Sequence, residues 1–243
     1  MASDLLLRGL IAGVLAGILA AGFSYILGEP PLERALAFET SLSETSVVEP
    51  EVVSRGTQRG AGLFAAHIVY GAAFGGFFSL VFALALGRIG DFGPHALAGL
   101  LALAGFIALV LVPELKYPAN PPGIGAAGTI GMRTELYFVM LAISLLAMIF
   151  AATLAAALAA RYGRWDGALI SAAAFVLVAA IAGAALPAID EVPDGFPAGV
   201  LWNFRLASIG ARAIFWCALG LGFGAMAEKW LERRPDAGGI SLS

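Results

Sequence analysis

Acidic side chains cluster in one stretch of the chain, and their type and spacing suit the collection of divalent cations. Asp190, Glu191 and Asp194 fall within five residues. Carboxylate oxygens bind hard divalent cations, and a group of them raises the local cation concentration even without tight binding. The alternative is an ordinary solvated loop. Arg205 and Arg212, at the start of the next apolar segment, favour the functional interpretation because a partly buried guanidinium needs anionic partners.

A second polar stretch is stiffened by proline. Lys116-Tyr117-Pro118-Ala119-Asn120-Pro121-Pro122 contains three prolines within five positions. Proline fixes the backbone and removes amide donors, so this stretch is not expected to be helical. Asn120 and the freed carbonyl groups offer oxygen atoms to a cation or another ligand. A rigid cap over a helix bundle is an equally good interpretation of the same residues.

Nitrogen and sulfur donors are scarce, since the chain has two histidines and one cysteine. His67 lies about two turns inside an apolar segment. Histidine at that depth is a functional candidate because neutral imidazole binds cobalt, nickel or zinc. The alternative is a histidine hydrogen-bonded to a neighbouring helix. We predict a mixed nitrogen and oxygen site for a metal ion from His67, Glu114, Asp190 and Glu191.

A further set of residues is predicted to contact the ligand or to order the loops. Arg133 and Arg205 would hold the acidic side chains in place, and Trp202 belongs to an aromatic group typical of a membrane interface. The full set is Glu29, Lys116, Tyr117, Asn120, Arg133, Trp202 and Arg205.

Membrane helices must position these residues. Of the 243 residues, 60% are hydrophobic and 13% are charged, whereas a soluble domain carries about 25% charged residues. Lipid must therefore be the solvent for much of the chain. The sequence has no basic patch, so a nucleic-acid partner is not expected. The sequence also lacks a nucleophile elbow, a zinc-protease motif and a phosphate-binding loop, so an enzyme is not expected.

Six segments have the length of a membrane span, about 20 residues. They are about 5–27, 61–86, 96–112, 136–160, 168–186 and 206–230. The predicted fold is all-α: a polytopic membrane helix bundle of about six transmembrane helices in a single integral membrane domain over residues 1–243. Helices three and five are expected to end at Pro113 and Pro187, because proline cannot continue a helix cheaply. The arginines Arg59, Arg133 and Arg205 recur at similar intervals, which suggests three repeated helical hairpins.

Six spans place both termini and two short links on one side. The three long acidic links, about 28–60, 114–135 and 188–205, lie on the other side. The lysines and arginines divide evenly between the two sides, but the terminal side packs its share into fewer loop residues. Cytoplasmic loops of membrane proteins carry an excess of lysine and arginine. We therefore predict cytoplasmic termini and external long links.

Small residues recur at a spacing of four on three helices. They are Gly9, Gly13, Gly17 and Ala21, then Gly71 and Gly75, then Gly220 and Gly224. Such ridges let helices approach closely. They predict packing within this one bundle, or else a homo-oligomer or assembly with another membrane subunit.

Several loop motifs stand out together. They are the Lys116–Pro122 stretch, Glu191-Val192-Pro193, Phe196-Pro197, Trp202-Asn203-Phe204-Arg205-Leu206-Ala207-Ser208 and the opening Gly28-Glu29-Pro30-Pro31. This combination resembles the CbtA family, the predicted cobalt transporter subunit of bacteria. The resemblance implies a multi-pass protein of the bacterial cytoplasmic (inner) membrane for cobalt uptake linked to cobalamin synthesis. It also implies a partner, the small single-span subunit CbtB with its histidine motif.

The function predicted is thus a membrane transport subunit for a divalent metal ion, with cobalt as the transported ion and no tightly bound cofactor. Two other functions are compatible with the residues alone. One is a non-transporting scaffold that binds a partner span through its glycine ridges. The other is a carrier of an organic solute, although the repeated motif of mitochondrial carriers is absent.

Overall fold

A computed structural model describes residues 2–42, 53–122, 124–125 and 127–233. Part of the first long link, residues 43–52, lies outside the described residues. Within them the chain is helical and contains no strand. The α-helices are α1 (Ala2–Phe23), α2 (Glu29–Leu42), α3 (Arg55–Thr57), α4 (Leu63–Ala85), α5 (Pro94–Phe106), α6 (Val112–Lys116), α7 (Ile130–Ala185) and α8 (Ala198–Glu232). The all-α prediction is confirmed.

Among the residues that the structure describes, five helical runs are long and apolar enough to cross a membrane. They are Ser3–Ser41, Arg55–Ala85, Pro94–Lys116, Ile130–Ala185 and Ala198–Glu232. Several of these runs join consecutive α-helices through π-helical turns, at Ser24–Gly28, Gln58–Gly62 and Ile107–Leu111. The chain is therefore a multi-pass helical membrane protein, as predicted, with five such runs where the sequence predicted about six spans.

Helix α7 accounts for the difference in number, because it folds back on itself. Its Gly163 has φ 85° and ψ 162°, which no helix contains. Ala147, Ala151 and Phe175 are buried in one cluster, whereas residues 151 and 175 of a straight helix would lie about 36 Å apart. The two arms of this hairpin contain the spans predicted at 136–160 and 168–186. That each arm crosses the membrane separately stays a prediction.

The chain divides into two compact units. Unit 1 comprises Met1–Tyr25, Glu51–Leu103 and Gly210–Ser243, and unit 2 comprises Ile26–Pro50 and Ala104–Ile209. The single membrane domain over residues 1–243 stays a prediction.

Unit 1 is built on direct contact between the backbones of α1 and α4. A Cβ atom at Gly13 would overlap the carbonyl oxygen of Gly71, and one at Gly9 would overlap that of Gly75. Gly220 in the same unit packs against Ala102. The glycine ridges thus contact helices of the same chain. The surface that the scaffold hypothesis assigned to a partner is therefore occupied by helices of this chain.

Unit 2 brings together segments of all three long links. Ala35 of α2, Ile124, Phe196 and Leu201 form one buried apolar cluster. Phe38 adds an edge-to-face contact with Phe196, with 5.0 Å between the ring centroids. Burial of this cluster fixes the second and third links against α2, because each link contributes at least one side chain that would otherwise face water.

Proline shapes the helix ends in unit 2 in two ways. α7 ends at Ala185, and Leu186 before Pro187 is extended, as expected for a residue that precedes proline. The prediction that helix three ends at Pro113 is wrong, since helical residues continue to Lys116. A π-helical turn, in which the Val112 amide donates to the Ile107 carbonyl oxygen, precedes Pro113. Its hydrogen bonds are shifted by one residue, so the helix continues although Pro113 has no amide hydrogen to donate.

Candidate functional site

Arg133 in the first turn of α7 joins the second and third long links. Its Nε lies 3.3 Å from Oε2 of Glu191, and both side chains are mostly buried. Its Nη1 also donates to the carbonyl oxygen of Ile124 at 3.5 Å. One guanidinium therefore holds a carboxylate of one loop and the backbone of another.

Gly125 makes room for this guanidinium. Its φ of +108° lies in a region that side chains rarely adopt, and a Cβ there would overlap the Arg133 guanidinium. The sequence interpretation missed Gly125, although a glycine between a proline-rich loop and an arginine was a visible signal.

Arg205 in α8 forms a second junction. Its Nη2 donates to Oδ1 of Asn120 at 2.7 Å, and the negative charge of Asp190 attracts it. The amide oxygen of Asn120, expected to be offered to a cation, is therefore already accepting a charge-assisted hydrogen bond. The neighbouring acids Asp190 and Glu191 are drawn to two different arginines.

Tyr117 closes the proline-rich stretch onto the end of α7. Its hydroxyl donates to the Pro187 carbonyl oxygen at 2.9 Å. Burial raises the pKa of Tyr117 above its usual value of 10.0, so the hydroxyl remains a donor at neutral pH. The Lys116 ammonium lies 5.7 Å from the centre of the Tyr117 ring. Trp202, by contrast, is 61% exposed and joins none of these contacts.

Two carboxylates of unit 2 are buried within helical runs. Glu114 is 4% exposed and Glu29 is 7% exposed. Each follows a π-helical turn and stands next to a proline. An ionisable residue in a membrane-embedded helix is costly and marks a functional position by default, and π-helical turns are frequent at functional sites.

His67 lies in α4 of unit 1 with a defined tautomer. Its Nδ1 is 2.9 Å from the Leu63 carbonyl oxygen. A carbonyl only accepts, so Nδ1 carries a proton, and in the neutral ring Nε2 carries the lone pair. That Nε2 lies 3.4 Å from the Ser24 hydroxyl. A ring whose other N–H is held by a backbone carbonyl is arranged as metal-binding histidines are.

The predicted metal ligands are distributed over both units. His67 belongs to unit 1, whereas Glu114, Asp190 and Glu191 belong to unit 2. Across the described ranges, no three side chains of His, Cys, Asp or Glu are grouped so that they could hold a metal ion. The predicted mixed-donor site therefore stays a prediction. What the structure does place together are the loop acids and their arginines.

These features define a helical multi-pass membrane protein whose polar side chains concentrate at loop junctions and at two buried carboxylates. A family model described as "Probable cobalt transporter subunit (CbtA)" matches residues 2–228. The chain belongs to the CbtA family, and the resemblance read from its loop motifs is confirmed. This family is a class of transporter subunits. No curated protein and no solved structure matches the chain.

Proposed function

We propose that this chain is the membrane subunit through which divalent cobalt enters the bacterial cytoplasm, where it supplies cobalamin synthesis. The observation that carries the proposal is Glu114, a carboxylate 4% exposed inside the candidate span Pro94–Lys116. Membership in a family of probable cobalt transporter subunits supports the same conclusion. A buried carboxylate can balance the charge of a divalent cation that has lost its hydration water.

The proposed path starts at the third long link on the external face. Asp190, Glu191 and Asp194 attract the cation there, because three carboxylates leave an excess of negative charge after Glu191 has paired with Arg133. Such an excess concentrates cations without holding them tightly. Glu114 and Glu29 then supply oxygen donors within the helices. Apart from this path, His67 in unit 1 offers a nitrogen donor through Nε2, the kind of ligand that favours cobalt over magnesium or calcium.

A second subunit is part of the proposal. Cobalt selectivity favours imidazole or thiolate ligands, and this chain has two histidines and one cysteine. The family description also names its members as subunits. We propose that a CbtB-like single-span protein supplies the missing nitrogen donors from its histidine motif, next to this chain in the inner membrane.

The proposal is tested by uptake of radioactive cobalt into bacterial cells that lack other cobalt importers. The chain is expressed alone and then with a CbtB-like subunit, with nickel and zinc as competitors. Uptake by the chain alone would place the path in these residues, and uptake only with the partner would place the decisive ligands on the partner. If neither combination takes up cobalt while both proteins are present in the membrane, the proposal fails.

A further inference from the structure

Two neighbouring acids of the third long link interact with two different arginines. Glu191 faces Arg133 at 3.3 Å, and Asp190 is attracted to Arg205. The two acids are adjacent in sequence, yet each is drawn to the start of a different helix, α7 or α8. The Glu191 carboxylate is therefore occupied by a cation that belongs to the protein itself.

Free carboxylates at this position would create a problem for a cobalt transporter. Sites made only of oxygen donors suit calcium and magnesium, so an open pair of acids would retain these ions. A transport path needs binding weak enough for the ion to leave. The Arg133 guanidinium beside Glu191 lowers the net charge available to any cation, and this ion pair must be broken before a cation can bind both acids.

We infer that Arg133 is a specificity-determining residue, which acts as a built-in counter-ion of Glu191 and prevents the third link from retaining hard divalent cations. Gly125 is a positioning residue for this arrangement, because only glycine at that site leaves space for the Arg133 guanidinium. The inference rests on the proposed function, since it explains how an acidic entry admits cobalt without filling with calcium.

Binding of radioactive calcium to the purified full-length chain in detergent tests this inference without requiring transport. We expect weak binding by the natural chain, and affinity higher by about tenfold or more in Arg133→Gln, because this change removes the counter-ion of Glu191. Arg133→Lys keeps the charge and should restore weak binding. Arg161→Gln removes an equal charge from the exposed turn at Gly163 and should leave calcium binding unchanged.

The glycine is tested in the same assay. Gly125→Ala should raise calcium affinity as Arg133→Gln does, whereas Gly128→Ala should not, since a Cβ at Gly128 meets no atom within 4 Å. Equal calcium affinity in the natural chain and Arg133→Gln would overturn the inference, whatever the result for Gly125→Ala. A chain that shows the expected calcium shifts but transports no cobalt would contradict the proposed function and leave this assignment intact.

Discussion

Glu114 is the residue on which the transport proposal depends most. It sits within a helical run beside Pro113, and its side chain is almost fully removed from solvent. Replacement by glutamine preserves the shape and removes the charge. We expect Glu114→Gln to lower cobalt uptake by about tenfold to a hundredfold, because losing a charged contact with the cation costs roughly 1.5–3 kcal/mol. The measurement is initial uptake rate at equal amounts of membrane-inserted protein.

Glu228 provides the matched control for this prediction. Its carboxylate lies 3.5 Å from Nδ1 of His95 in unit 1, and its side chain is 40% exposed. Glu228→Gln makes the same chemical change at a half-exposed position, so we expect uptake close to that of the natural chain. Equal uptake by Glu114→Gln and the natural chain would remove Glu114 from the path.

For single residues, the sequence identified which side chains need a partner better than it identified the partner. Arg133 was expected to hold a loop acid, and it does contact Glu191. Asn120 was expected to offer its oxygen to a cation, but that oxygen accepts from Arg205, 85 positions away. Local spacing identifies polar groups that need partners. It cannot choose among partners brought together only by the packing of distant helices.

The contact between α1 and α4 leads to a prediction about stability. Gly13 has no room for a side chain, because a Cβ would overlap the backbone of Gly71. Gly13→Leu must push the two helices apart, and such overpacking costs about 1–3 kcal/mol or more. We expect a lower melting temperature for the purified chain in detergent.

Gly22→Leu is the control for the same helix, since a Cβ at Gly22 meets no atom within 4 Å. It should melt close to the natural chain. A Gly13→Leu chain that melted normally yet failed to co-purify with a single-span partner would restore the scaffold hypothesis. The glycine spacing predicted close packing, but the identity of the facing helix required the structure.

Helix ends were only partly predictable. Pro187 follows the end of α7 as expected, whereas the helical run around Pro113 continues. Both prolines follow long apolar segments, so their local sequences look alike. The difference comes from the π-helical turn at Ile107–Leu111, whose shifted hydrogen bonds accommodate Pro113 and bring Glu114 into the helix. No periodicity in the sequence signals such a turn.

The hairpin of α7 determines the topology of the whole molecule. If both arms cross the membrane, the turn at Gly163 and the third long link lie on opposite sides. The chain has a single cysteine, Cys217, so Cys217→Ala provides a cysteine-free background. We expect Asp194→Cys to react with a membrane-impermeant maleimide in intact cells, and Trp165→Cys to react only after the cells are permeabilised.

Both positions are solvent-exposed in the structure, so a lack of reaction would reflect sidedness rather than burial. Reaction of both cysteines from the outside would mean that the arm between them does not cross. Reaction of Trp165→Cys alone in intact cells would reverse the orientation and place the termini outside.

The central claim is that this chain forms a path for cobalt, and transport by the purified protein tests it most directly. The chain is reconstituted into liposomes that enclose a dye quenched by cobalt, with and without a CbtB-like subunit. The account predicts cobalt entry faster than into protein-free liposomes, and slower entry when Glu114→Gln replaces the natural chain. Entry no faster than into protein-free liposomes under both conditions, with the proteins shown to be inserted, would contradict it.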